Sequence, residues 1–114
     1  MRNRLRILLI SALLALGAGG ARASTSNNTY VTSVMVLGGI AVFHDSGTRS
    51  AQPACSTLNR WAFDATTPAG QAMLSSLLSA YVAHIPIWIV GTGACEVYNN
   101  SETASYFWLG AQGQ

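Results

Sequence analysis

Residues Met1–Ala23 constrain the rest of the chain most, because they carry the parts of an export leader. Arg2, Arg4 and Arg6 make a positive start. Ile7–Gly20 is an uncharged apolar run, and Ala21-Arg22-Ala23 is a small-x-small cleavage site ahead of Ser24. The apolar run, about 14 residues, falls short of the roughly 20 that a spanning helix needs. An uncleaved anchor is the rival reading. The expected division is a signal peptide at 1–23 and a single domain at 24–114. The domain is expected to be secreted or periplasmic, with no membrane span after cleavage.

Removing the leader reverses the charge. Four of the six arginines lie within 1–23 and the chain has no lysine, so only Arg49 and Arg60 remain. Against them stand Asp45, Asp64, Glu96 and Glu102, and the formal charge changes from +2 to −2 with neutral histidines. Two scattered arginines cannot neutralise the run of phosphates on which nucleic-acid affinity rests. Nor do they form the polybasic patch that holds an anionic membrane surface. Nucleic acid is therefore not expected as a partner.

The 91 residues of 24–114 suffice for one small domain. A chain this short buries a modest fraction of its surface and often needs a covalent staple. Its two cysteines, Cys55 and Cys95, would meet an oxidising compartment, where a disulfide between them is the default. Closing that loop of about 40 residues contributes roughly 4 kcal/mol by the chain-entropy account. A redox or metal pair is the weaker alternative, since CxxC spacing is absent.

Ser24–Asn28 is small and polar and reads as a mobile lead-in. Tyr30–Leu37 is rich in β-branched residues and reads as a strand, Gly38-Gly39 as a turn or bulge, and Ile40–His44 as the second strand of a hairpin. A polar loop follows to Pro53, and Asn59–Phe63 reads as a third strand. Thr67 then offers a hydroxyl N-cap, with Pro68 at the first helical position. Within Pro68–Ala83, Leu74, Leu77, Leu78 and Tyr81 recur at i, i+3, i+4 and i+7, which predicts an amphipathic helix with that stripe buried. Pro86 stops the helix. Ile87–Val90 reads as a strand, Gly91-Thr92-Gly93 as a bend before Ala94–Tyr98, Asn99–Glu102 as a polar turn, and Ala104–Leu109 as the last strand. The fold class is mainly β: a five-stranded OB-fold-like β-barrel with one helix between strands 3 and 4. A split antiparallel sheet with one packed helix fits the same pattern.

Catalytic chemistry finds little footing. His44-Asp45-Ser46 has the residue types of acyl transfer, but neighbours in a strand point to opposite faces, and no serine sits in a GxSxG elbow. The plainer reading is a strand end entering a turn, with Asp45 and Ser46 bonding their own backbone. His44 and His84 cannot close a zinc site alone, and Gly91-Thr92-Gly93 lacks the companions of a phosphate loop. Asn27-Asn28-Thr29 and Asn99-Asn100-Ser101 match the glycosylation pattern and are read as surface polar loops. No catalytic residue, metal site or cofactor is expected. The aromatic residues are many for so small a domain, and Tyr106, Phe107 and Trp108 are consecutive. At least one of them faces away from the core unless both faces of the strand are covered. Such a ring suits a subunit interface or a sugar.

From Tyr30 to Leu109 the chain resembles the binding (B) subunits of AB5 toxins, especially the subtilase-cytotoxin B-subunit-like group. The carriers are YVTSVMVLGGIAVF, the cysteine before the helix at Cys55, and TPAGQAMLSSLLSAYVAHIPIWIVGTGAC, which ends at Cys95. The resemblance implies OB-fold protomers in a homopentameric ring, recognition of cell-surface glycans, and a separate catalytic A subunit as a possible partner. In toxin members a hydroxyl residue opening the first strand and a tyrosine ending the strand after the helix contribute to the sialic-acid site. Thr29 falls near the first position. Gly91 falls near the second, so the aromatic is absent there.

The expectation is a secreted, non-enzymatic, disulfide-bonded binding subunit with a glycan ligand. Thr29, Thr32 and Ser33 would supply hydroxyl contacts, and Trp88 or Trp108 a stacking face. The alternative is a free-standing periplasmic or envelope OB-fold protein that mediates protein–protein interaction.

Overall fold

A computed structural model describes residues 23–110. Of the leader expected at 1–23, residues 1–22 lie outside the described residues. Seven elements follow one another: β1 Thr25–Thr29, β2 Val31–Leu37, β3 Ile40–Asp45, β4 Trp61–Asp64, α1 Pro68–Ala83, β5 Ile87–Gly91 and β6 Glu102–Leu109. They form one helix and a six-stranded sheet in the order β1-β5-β6-β4-β3-β2. All pairings are antiparallel except β4 with β6, which is parallel. The class is thus mainly β, with six strands rather than five in a sheet whose hydrogen-bonded order has two ends.

The extra strand is the segment expected to be mobile. Thr25–Thr29 pairs antiparallel with β5, with a bulge between Ser26 and Thr29 where Asn28 takes φ 48°. Asparagine tolerates that left-handed geometry better than most residues. Ser24, Ser26 and Thr29 turn inward and are fully or almost fully buried. A strand whose inward side chains are hydroxyls carries no hydropathy signal, so its polar composition reads as a loop. Its far side is met by the β3–β4 loop: the Ser50 amide donates to the Thr25 carbonyl at 3.0 Å. Only Tyr30 separates β1 from β2, so the two end strands of the sheet are neighbours in the chain.

The β2–β3 hairpin forms as read. Leu37 pairs with Ile40 across Gly38 and Gly39, both at positive φ (54° and 87°), as a tight hairpin turn demands. The third expected strand starts two residues later and ends one later, at Trp61–Asp64. The last begins at Glu102 rather than Ala104, because parallel pairing of Trp61 with Glu102 and Ala62 with Thr103 extends it into the expected turn.

Helix α1 starts as predicted: the Thr67 hydroxyl accepts from the Gly70 amide at 3.0 Å and Pro68 opens the first turn. His84 ends it in the left-handed region (φ 52°), its ring stacked on Tyr30 at 4.2 Å. The buried face differs from the predicted stripe. Gly70, Leu77 and Ala80 are buried and Met73 and Leu74 half-buried, whereas Leu78 and Tyr81 are exposed. The buried stripe thus runs along Gly70, Met73, Leu77 and Ala80, with Gly70 set against the backbone of Asp64 and Ala65 where a Cβ would not fit. The core beneath it holds Val31, Ala41, Phe43, Trp61, Phe63, Ile87, Ile89 and Ala104, with Phe43, Phe63 and Phe107 in mutual contact at 6.1–6.2 Å between ring centres. The Cys55–Cys95 disulfide ties the β3–β4 loop to the β5–β6 connection, with Cα atoms 6.1 Å apart.

Candidate functional site

Two groupings of polar and aromatic side chains stand out, one on the surface and one buried. The surface grouping follows from strand register. Trp88 of β5 lies directly opposite Trp108 of β6, so both project from the same face, and Tyr106 joins them two residues along β6. The rings form a ladder: Trp88 and Trp108 stack with centres 5.3 Å apart, and Tyr106 stacks on Trp108 at 5.8 Å. Trp88 and Trp108 are half-buried and Tyr106 is 51% exposed. Phe107, between them in sequence, points into the core.

The sugar-binding residues expected from sequence do not all gather at this ladder. Thr32 and Ser33 are exposed on β2, which β3 and β4 separate from β6 in the strand order. The Ser33 hydroxyl is 2.9 Å from His44 Nδ1. Thr29 is buried and its hydroxyl donates to Asp45 at 2.9 Å. Gly91, the position of the missing aromatic, has no room for a side chain: a Cβ there would lie 1.8 Å from Glu102 Oε2 and 2.8 Å from the Trp61 ring.

That crowding marks the second grouping, which no sequence motif announced. Strand pairing brings Asp45 at the end of β3, Trp61 at the start of β4 and Glu102 at the start of β6 together around Arg49 from the β3–β4 loop. The Arg49 side chain is 2% exposed. Its guanidinium carbon lies 3.8 Å from the Trp61 ring centre, its Nη1 is 3.9 Å from Glu102 Oε1, and it donates to the Ser56 hydroxyl and the Arg60 carbonyl. Burial pushes the guanidinium below its ordinary pKa, against the opposing pull of Glu102 and Asp45.

Each carboxylate is enclosed by donors. Asp45 accepts from Trp61 Nε1 at 2.9 Å, Thr29 at 2.9 Å, the Gly47 amide at 3.1 Å, and Ser26. Glu102 accepts from the Ser24 amide at 3.1 Å, the Gly93 amide at 3.0 Å and the Ser24 hydroxyl. Every oxygen of both carboxylates has a partner. The arrangement ties β1, the β3–β4 loop, β4 and β6 together through charge-assisted hydrogen bonds. The signal available in sequence was faint: alternate hydroxyls at Ser24 and Ser26, and an arginine isolated in a polar loop. Asp45 does bond its own loop backbone, as read, but most of its partners are distant in sequence.

Among the described residues no group of three or more His, Cys, Asp or Glu could hold a metal ion, and no helix is long and apolar enough to cross a membrane. Comparison with protein-family models, with curated proteins and with solved structures finds no match to this chain.

Proposed function

We propose that the chain is an exported, non-enzymatic recognition protein that binds cell-surface glycans through the Trp88–Trp108–Tyr106 ladder, in several copies on one ring. The ladder is the observation that carries the reading. Aromatic rings held on a paired two-stranded surface give a sugar's apolar C–H face a firm stacking partner at low entropic cost. Thr32 and Ser33 are exposed hydroxyls suited to a second, separate polar contact. The ionic cluster supports the reading from the other side, since its carboxylates are consumed by structural bonds.

The barrel belongs to the same proposal. β1 and β2 act as two halves of one OB-type strand broken between Asn28 and Tyr30, carrying the chain from one end of the sheet to the other. The parallel β4–β6 pair and the helix between β4 and β5 agree with that arrangement, as does the resemblance to AB5-toxin B subunits. The ring would form through the open β2 edge, where Met35, Val36 and Leu37 are exposed, and through the outward face of α1. A catalytic A subunit is the partner such a ring would carry, and export is compatible with the disulfide. Multiplicity matters because single sugar contacts are weak and linked sites gain by effective concentration.

A glycan array probed with the oxidised protein tests this. Binding to a defined glycan class, reduced about tenfold or more by Tyr106→Ala, is the expected result; a blank array, or binding untouched by Tyr106→Ala, refutes it. The outward apolar face of α1 (Leu78, Tyr81 and Val82, with Val82 83% exposed) favours a second reading, an envelope protein whose partner is another protein. A blank array together with a monomeric solution mass would select it.

A further inference from the structure

The buried ionic cluster is one positive charge short. Asp45 and Glu102 are 8% and 0% exposed, and Arg49 is the one cation set among them in the described residues. Arg60 turns instead to Ser101, Asn100 and the Tyr98 ring, His44 to Ser33, and His84 to Tyr30. One guanidinium shared by two buried carboxylates leaves a net negative charge buried, which is costly.

The atom placed to supply the missing charge is the backbone nitrogen of Ser24. It lies 3.1 Å from Glu102 Oε2, and the Ser24 hydroxyl bonds the other carboxylate oxygen. Ser24 is 0% exposed while Ala23, one residue earlier, is exposed. Ser24 is also the first residue after the small-x-small cleavage site at Ala21–Ala23.

We infer that cleavage between Ala23 and Ser24 completes this cluster, placing the new α-ammonium of Ser24 in a buried ion pair with Glu102. The step is hydrolysis by a membrane signal peptidase. Water adds across the Ala23–Ser24 bond, the carboxylate leaves on Ala23 with the leader, and the amine on Ser24 takes up a proton. The cluster then holds two carboxylates and two cations. No rearrangement is required, because the nitrogen already sits on the carboxylate; cleavage replaces a neutral donor by a charged one, and charged pairs are shorter and stronger. Processing thereby becomes a condition for full stability, and β1, which begins at the next residue, is tied to β6 more strongly in the cleaved protein. The inference rests on the export leader and not on glycan binding.

The absence of lysine makes the test clean, since the Ser24 α-amine is the sole primary amine of the cleaved chain. The exported, oxidised protein is expected to begin at Ser24 by intact mass. Its amine should react with an N-hydroxysuccinimide ester about 100-fold more slowly in the folded protein than a peptide of the same N-terminal sequence does, as a group reached only by local opening should. A form retaining Ala23 should label at the peptide rate and melt roughly 5–10 °C lower. Glu102→Gln should bring the melting temperatures of the two forms together. A mature chain beginning elsewhere, peptide-rate labelling of the folded protein, or equal melting of the Ser24 and Ala23 forms overturns the inference. The labelling arm uses the native protein and so stands even where Glu102→Gln fails to fold.

Discussion

At the scale of single residues, stability turns on which polar atoms are committed. Asp45→Asn keeps the shape but weakens the charged acceptor that Trp61, Thr29, Ser26 and Gly47 share. It should cost about 2 kcal/mol in urea unfolding, the usual worth of a hydrogen-bonded buried charge. Gly91→Ala forces a methyl group onto the Glu102 carboxylate and the Trp61 ring, and a loss of about 1–3 kcal/mol is expected. Asp64 behaves differently because it is exposed. Hydrogen bonds from the Thr66 hydroxyl and amide hold its carboxyl below the ordinary carboxylate range. A folded pKa below the unfolded one stabilises above the unfolded value, about 3.9, and that contribution fades as pH falls through the folded value. Carboxyl NMR titration of Thr66→Ala should therefore find the Asp64 pKa raised toward the ordinary range; an unchanged titration would contradict this.

At the scale of elements, what could be read from sequence was what the backbone and local chemistry decide alone. The cap at Thr67, Pro68 at the helix start, the glycine hairpin turn and the apolar strands Ile40–His44 and Ile87–Val90 needed no tertiary information. Strand β1 did, because its inward side chains are hydroxyls whose acceptors lie at positions 45 and 102. The start of β6 did as well, since only parallel pairing with β4 draws Glu102 out of a polar turn. The helix face was misjudged for a packing reason: Gly70 must lie against the Asp64 and Ala65 backbone, and the buried stripe through Gly70, Met73, Leu77 and Ala80 leaves Leu78 and Tyr81 outside. Of the candidate site, Trp88 and Trp108 were legible as outward aromatics. Thr29 has the right chemistry but spends it on Asp45, and Arg49 carried no motif at all. The outward helix face gives an element-scale prediction. Val82→Ser should shift monomer stability by no more than about 0.5 kcal/mol, as exposed sites do, yet lower the assembled fraction in sedimentation runs. An unchanged assembly would remove α1 from the interface.

At the scale of the whole molecule, a small sheet is held by a core, an ionic cluster and one covalent tie. The disulfide joins two long connections that flank the cluster, Cys55 lying one residue before Ser56 and Cys95 two after Gly93. The paired Cys55→Ser and Cys95→Ser variant should lose about 2–5 kcal/mol and loosen the loop that positions Arg49, which reduced amide protection around Arg49 would report. Recognition by weak aromatic contacts works only if those contacts are repeated on one assembly, so the number of protomers in solution is the decisive quantity. Light scattering on the oxidised, cleaved protein after size exclusion should give a mass close to five protomers. A stable monomer across the accessible concentration range would contradict the ring, and with it the multivalent recognition on which the proposed function depends.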